Sequence, residues 1–414
     1  MTKFFKQTIK DVPLDNQTVL VRADYNVPLN DSGKISDDLR IKASLPTLKY
    51  LLNRGCRVVI MSHLGRPEGR DSKLSLELVA TRLAELLDQK VEFCSQVYGD
   101  QVSQAVKQLP KSSVLMLENI RFYPEEEAND SDFAAKIAAS TKARYFVQDG
   151  FGVVHRAHAS TSAITWHIPG VAGLLLEREY QTITAAVSKP ERPLVAVLGG
   201  AKVSDKIAVI ERFVEVADKI LIGGAMANTF LNYRGFKTGS SKLETNQTET
   251  LDKIYRAAKT KLGRDNVDDF IILPTDVAVA SSIDKAAKRT VKPVEFIKQD
   301  DIILDIGDQT IEVFAAEAAK AKTIIWNGTL GLAELPEFAH GSARMALSMA
   351  TNESVMSIIG GGDTADFALK WDGHGGESFS HVSTGGGAGL ELMSGEKLPG
   401  VEALLDARPG GRVN

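Results

Sequence analysis

Four short apolar runs in the first half of this 414-residue chain end in polar, mostly cationic loops. VLVRAD (19–24) leads into Asp24, Tyr25 and Asn26, with Arg40 shortly after, and RVVIMSH (57–63) leads into His63, Leu64, Gly65 and Arg66. VLMLE (114–118) leads into Asn119, Arg121 and Phe122, while RYFVQD (144–149) leads into Gly150 and then His155, Arg156 and His158. A guanidinium presents a planar fork of donors that matches phosphate and carboxylate oxygens. One such arginine usually means a surface salt bridge. The property shared by four run ends points instead to a site for a small, multiply anionic molecule.

In the second half the corresponding positions hold glycine. PLVAVLGG (193–200) continues into Ala201, Lys202, Ser204, Asp205 and Lys206, and KILIGG (219–224) ends at Gly223 and Gly224. TIIWNG (323–328) ends at Gly328, with Glu334 beyond it. SVMSIIGGG (354–362) runs through Gly361 and Gly362 into Asp363 and Thr364, and SFSHVST (378–384) runs into Gly385, Gly386 and Gly387. Glycine admits close approach of backbone N–H groups to a phosphate, and a following helix start adds partial positive charge. Five such loops on one sheet edge make a nucleotide site. Lys202 and Lys206 would place ammonium groups on its phosphates. Asp363 is either a helix N-cap or a Mg²⁺ ligand, two compatible roles; Glu334 either accepts from ribose hydroxyls or faces solvent.

Positioning these groups requires strands whose carboxyl ends share an edge. Apolar runs alternate with amphipathic segments such as SLELVATRLAELLDQK (75–90) and SDKIAVIERFVEVADK (204–219), which implies parallel sheets covered by helices on both faces. Eleven such runs, including DFIILP (269–274) and DIILDIG (301–307), exceed one ordinary open sheet. Length gives the same answer at ~150 residues per domain. Leu176, Tyr180, Ile183 and Val187 share one helical face between Pro169 and Pro190, the expected connector. Of 34 glycines, nine precede residue 190 and 25 follow it, so the second half has the more tightly turned backbone.

Composition excludes several classes. Lys and Arg number 49 against 53 Asp and Glu, a net charge of −4 that argues against general nucleic-acid or membrane-surface binding. Two cysteines are too few for a disulfide framework or thiolate metal site. The first residues hold no apolar stretch suited to a signal peptide, and no run approaches the roughly 20 residues of a membrane span. The reducing cytoplasm is the expected compartment. No G-x-x-x-x-G-K-[ST], H-R-D or D-F-G motif is present.

Taken together, VLVRADYNVPL (19–29), SHLGRP (62–67), LENIRF (117–122), HRAHAS (155–160), GGAKVSDKI (199–207), WNG (326–328), GGGDT (360–364) and STGGGAGLELMSGEKLPG (383–400) resemble the phosphoglycerate kinase family across nearly the whole chain. The resemblance implies an α/β fold of two Rossmann-like three-layer lobes with parallel sheets joined by an inter-domain helix. Residues 1–170 would be the phosphoglycerate-binding lobe, 171–190 the connecting helix and 191–397 the nucleotide-binding lobe, with the tail 398–414 returning to the first. It further implies a cytoplasmic, monomeric, glycolytic and gluconeogenic kinase that moves a phosphoryl group reversibly from 1,3-bisphosphoglycerate to ADP, with Mg²⁺, by in-line transfer on lobe closure. Asp24, Asn26, Arg40, His63, Arg66, Arg121 and Arg156, with Tyr25, Leu64 and Gly65 in the same loops, would hold phosphoglycerate. Lys202, Lys206, Glu334 and Gly361, Gly362, Asp363 and Thr364 would hold the nucleotide, assisted by Gly200, Ala201, Gly224, Gly328, Gly386 and Gly387. Arg40 and Lys206 would neutralise charge on the transferring group, and Asp363 would face the metal. The chain departs from the family at Thr329, Ala333, Gly150 and Gly389, where Pro, Phe, Ala and Ser are usual. Another small-molecule kinase, a non-catalytic protein of the same fold and a dinucleotide-dependent dehydrogenase are the rival readings.

Overall fold

Strand formation follows the apolar runs. The computed structural model describes residues 4–407; residues 1–3 and 408–414, with that part of the expected tail, lie outside the described residues. The chain divides into two compact units, residues 1–181 with 397–414, and residues 182–396.

In the first unit the order is β1 (Thr18–Arg22), α1 (Leu39–Asn53), β2 (Arg57–Met61), α2 (Glu77–Leu87), β3 (Val91–Cys94), α3 (Asp100–Gln108), β4 (Ser113–Leu117), α4 (Ser131–Thr141), β5 (Tyr145–Gln148) and β6 (Gly170–Ala172). They form one parallel sheet ordered β3-β4-β2-β1-β5-β6. Val19, Val21, Val58, Ile60, Val114 and Met116 are buried under α1 and α2 with Ile41, Leu48 and Leu83. Each fully buried aliphatic of this kind contributes about 1.5–3 kcal/mol. Register brings Arg22, Met61 and Gln148 side by side at the carboxyl edge. Loops after β1, β2, β4 and β5 therefore emerge together.

Helix α5 (Leu174–Ser188) follows β6, and the division between the units falls within it. Leu176, Ile183 and Val187 on its apolar face are buried.

The second unit comprises β7 (Leu194–Leu198), α6 (Ile207–Val216), β8 (Lys219–Ile222), α7 (Gly224–Tyr233), α8 (Thr248–Leu262), β9 (Ile271–Ile272), β10 (Asp276–Ala280), β11 (Thr290–Pro293), β12 (Ile302–Ile306), α9 (Asp308–Lys320), β13 (Thr323–Asn327), α10 (His340–Ala350), β14 (Met356–Gly360), α11 (Gly362–Asp372), β15 (His381–Val382) and α12 (Gly387–Ser394). A second six-stranded parallel sheet runs β15-β14-β13-β7-β8-β9. Leu198, Ile222, Asn327 and Gly360 form one row across it, so each glycine loop leaves from the same edge.

One expectation needs correction. The run at 301–307 forms a strand, β12, but pairs antiparallel with β10 in a three-stranded sheet, β11-β10-β12. Apolar content fixes that a strand exists; its direction is set by which neighbour arrives, and here β10 is too alanine-rich and β11 too polar to announce themselves.

The last helix, α13 (Pro399–Glu402), belongs to the first unit. Gly400 N donates to Val154 O at 2.8 Å, Leu405 N to Gly170 O at 2.9 Å and Gln7 N to Leu405 O at 2.7 Å. Lys6 Nζ adds bonds to the carbonyls of Glu402 and Leu404. Residues near the start and near the end of the chain are thus sewn to the same edge strand, β6.

Candidate functional site

At the carboxyl edge of the first sheet, Asp24 leaves β1 and accepts from Arg40 Nη1 at 2.8 Å, while its other oxygen lies 4.0 Å from His63 Nδ1. Asn26 Oδ1 accepts from Gly65 N at 2.8 Å, and Arg121 donates to Gly65 O at 2.9 Å. Arg121 Nε lies 3.4 Å from Glu127. Asp24, Asn26, Arg40, His63, Gly65 and Arg121 are therefore one connected group of side chains and backbone. Arg66 and Arg156 are exposed on the same loops; Arg156 Nε reaches the His155 ring at 3.2 Å, and Arg66 forms no ion pair among the described residues. Two expected residues fall elsewhere. The Tyr25 ring is wholly buried and bonds Ser44 at 2.8 Å, and Leu64 is also buried, so neither side chain reaches the edge. Burial pushes the Tyr25 hydroxyl well above its ordinary value.

Beneath this surface lies a layer that the sequence did not disclose. Arg22, the last residue of β1, is fully buried. Its Nε donates to Ser160 Oγ at 2.7 Å, Nη1 bonds the Ala23 carbonyl, and Nη2 lies 3.2 Å from His63 Nδ1. An arginine only donates, so His63 Nδ1 must accept and its proton sits on Nε2. Glu126 accepts from both Ser160 N and Ser160 Oγ, at 2.9 and 2.6 Å, and lies 4.0 Å from Arg22. Burial raises Glu126, against the pull of Arg22. Burial first, then the arginines, hold His63 well below its usual range and bring His158 down to about 4. Both histidines are consequently neutral at pH 7 and add hydrogen-bonding groups rather than charge. An arginine inside an apolar strand run was the available signal for Arg22.

At the second sheet's carboxyl edge the backbone does more of the work. Lys206, in the 3₁₀ turn Ser204–Lys206 ahead of α6, donates to Gly199 O at 2.7 Å and Asn327 O at 3.0 Å. Burial lowers it to about 8, partly opposed by Asp205 and Asp363. Gly328 turns at φ +98°, and its amide donates to Thr364 Oγ1 at 2.7 Å. Trp326, wholly buried in β13, donates its Nε1–H to Gly328 O at 2.8 Å, so the core of the unit grips this loop directly. Gly224 N donates to Leu330 O and Gly200 N to Thr329 O, at 2.8 and 2.9 Å. Helices α7, α11 and α12 begin at Gly224, Gly362 and Gly387, giving three N-termini on this edge. At α7 the amides of Gly224 and Met226 already donate to Leu330 O and Gly200 O, so it is the N-termini of α11 and α12, with their dipoles, that favour an anion.

Thr364 is buried and holds the Gly328 loop, whereas Ala201, Lys202, Glu334 and Asp363 are exposed. Gly361 and Gly386 turn with positive φ just ahead of α11 and α12. Asn327, within the TIIWNG run, adds a side chain to this edge that its motif alone does not assign. Its side chain is buried at the end of β13, with Nδ2 lacking a partner beside Gly360 and Gly361. A buried amide N–H left without a protein partner is a donor available to an acceptor at this edge.

No group of three or more His, Cys, Asp or Glu side chains able to hold a metal occurs among the described residues. One exposed carboxylate, Asp363, in the first turn of α11 fits a cation that arrives on phosphate oxygens and keeps most of its waters.

The phosphoglycerate kinase family model matches residues 9–396. A phosphoglycerate kinase of Dictyoglomus turgidum is 45% identical over 398 residues, covering 96% of this chain and 98% of its own. One of Gloeobacter violaceus is 44% identical over 412 residues, covering 98% of this chain and 100% of its own. Among solved structures, phosphoglycerate kinases of Coxiella burnetii and Pyrococcus horikoshii superpose with TM-score 0.82 each, at 34% and 33% identity, and each comparison covers 96% of this chain and 98% of the other.

Proposed function

The chain belongs to the phosphoglycerate kinase family, and from that premise we propose how its own residues divide the work. The reaction is reversible phosphoryl transfer from 1,3-bisphosphoglycerate to ADP, giving 3-phosphoglycerate and ATP. The observation that carries the assignment of roles is the segregation of chemistry. Arginine, asparagine and histidine line the carboxyl edge of one sheet, while glycine amides, helix N-termini and Lys206 line that of the other.

Arg40, Arg66, Arg121 and Arg156, with Asn26 and neutral His63, hold phosphoglycerate. Asp24 orients Arg40 through its 2.8 Å bond. Lys206, Lys202, the Gly200, Gly328 and Gly361 loops and the Asn327 amide hold the phosphates of ADP or ATP, with Glu334 toward the ribose. Magnesium, carried on the nucleotide and faced by Asp363, would neutralise β- and γ-oxygen charge.

In the ATP-consuming direction the nucleophile is the substrate carboxylate, ionised at neutral pH. No protein base is required, and His63 and His158, held well below the usual imidazole range, are too weakly basic to be good candidates for one. Rate enhancement then comes from in-line alignment and from cations around the transferring oxygens. Arg40 and Lys206 supply those cations, one from each unit. Substrates held by separate units can react only when the units close, which also excludes water from the acyl phosphate. The setting proposed is a cytoplasmic monomer, in keeping with two free, buried cysteines.

The test is ADP formation from ATP that depends on 3-phosphoglycerate. It is expected with Mg²⁺ and expected to collapse with EDTA; turnover of another carboxylate in preference would overturn the assignment.

Lys206 gives the nucleotide site a pH signature. Its folded-state value, lowered to about 8, leaves the ammonium charged below that pH and neutral above it. Binding an anion then requires proton uptake, so ADP affinity should fall about tenfold per unit as pH rises above 8. Calorimetric titration from pH 7 to 9.5 reads this directly, and Lys206→Met should flatten the slope.

A further inference from the structure

A cavity of about 740 Å³ lies between the loop ahead of α1, residues 33–38, and Leu78, Thr81 and Arg82 of α2. The loop closes on itself, with Asn30 N donating to Lys34 O at 2.8 Å and Leu29 bridging Ile35. Asp38 stands at its end, immediately before α1, where an aspartate would ordinarily cap the helix with its own carboxylate. This carboxylate makes no such cap. Its Oδ2 accepts from Arg82 Nε at 3.0 Å and Nη2 at 2.7 Å, and its Oδ1 faces Lys42 Nζ at 2.8 Å.

The two cations are not equivalent. Lys42 is part of α1 and cannot tie that helix to anything else. Arg82 belongs to α2, and a further bond to Glu85, three residues along the same helix, aims its guanidinium. Arg40 lies two residues beyond Asp38, in the first turn of α1.

We propose that Arg82 is a positioning residue for Arg40: by holding Asp38 across the cavity it fixes the first turn of α1, and with it the placement of the Arg40 guanidinium. The proposal rests on the reading that Arg40 serves phosphoryl transfer. Ångström-scale misplacement of a catalytic group costs up to roughly a hundredfold in rate. Asp37 Oδ1 accepts from Leu39 N at 3.0 Å, but that bond lies within the same segment, so a helix start facing an open cavity can make such a shift once its tie to α2 is cut.

The test is steady-state kinetics on Arg82→Met, Arg82→Lys, Arg40→Ala and the double variant Arg82→Met/Arg40→Ala. Arg82→Met is expected to lower kcat about tenfold or more with the KM for nucleotide nearly unchanged. Arg82→Lys, which keeps a cation, should recover part of that loss. In the Arg40→Ala background the same Arg82→Met change should cost less than about twofold, because the group it positions is gone. Equal losses in both backgrounds would make Arg82 a structural prop only, and unchanged kcat in Arg82→Met would also overturn the proposal. Full turnover by Arg40→Ala alone would overturn the reading of Arg40 itself, a failure visible without any Arg82 variant.

Discussion

Arg40→Ala is expected to lower kcat by about 10³-fold, while the dissociation constant for ADP moves by no more than about twofold. Arg40 is held by Asp24 in the first unit, and nothing in the glycine edge of the second unit depends on it. Its loss therefore leaves the nucleotide's contacts whole. What disappears is a fixed cation near oxygens whose charge redistributes during transfer, and a tenfold loss corresponds to about 1.4 kcal/mol of transition-state stabilisation. Arg40→Lys should recover little, since an ammonium presents no planar fork. Stopped-flow or coupled kinetics beside equilibrium ADP binding makes the check. A collapse of ADP affinity with turnover preserved would mean that Arg40 sits in the wrong role here.

Gly328→Ala should weaken ADP binding by about a hundredfold or more and lower the melting temperature, with 3-phosphoglycerate binding preserved. The backbone turns there at φ +98°, and a Cβ would stand 2.2 Å from Gly199 C and O and 2.6 Å from Lys206 Nζ. Gly199 cannot retreat cheaply, because its amide donates to Asn327 O at 3.0 Å and the next amide to Thr329 O at 2.9 Å. Backbone strain of roughly 1–3 kcal/mol adds to overpacking of similar size. Both fall on the loop that seats Lys206. Gly362→Ala is the control: its Cβ would meet nothing within 4 Å, and it has no positive φ, so its melting temperature should match the parent. Differential scanning calorimetry and separate titrations of each substrate distinguish these outcomes; a Gly328→Ala protein with normal ADP affinity would remove the glycine edge from the argument.

The carboxyl edges were legible because continuous apolar runs say where strands end, and the residues beyond an end are then candidates for ligand contact. Arg40, Arg121, Asn26 and Lys206 could be picked out on that ground. Local sequence does not say which way a side chain turns. Tyr25 follows β1 as directly as Asp24 does, yet its ring is drawn inward by Ser44, 19 positions along the chain. Arg22 is marked only as an arginine inside an apolar strand run, and nothing local shows that Ser160 and Glu126 close over it. Asp305 shows the same limit. Buried in β12, it accepts from Gly341 N at 3.0 Å, and burial raises it to about 7, although nothing in DIILDIG separates it from an exposed aspartate. Pairings across dozens of residues decide such cases, and only topology supplies them.

The stitching of residues 6–9 and 398–406 onto β6 bears on how the polypeptide is made. Residues 182–396 are contiguous in sequence, so that unit needs no distant segment of chain to complete its own pairings. The unit translated earlier must wait, because the carbonyl that receives the amide of Gln7 belongs to Leu405, beyond the whole of the other unit in sequence. Domains generally mature in the order of translation; here the earlier-made unit cannot close its edge at β6 until residues beyond the later-made unit have been synthesised.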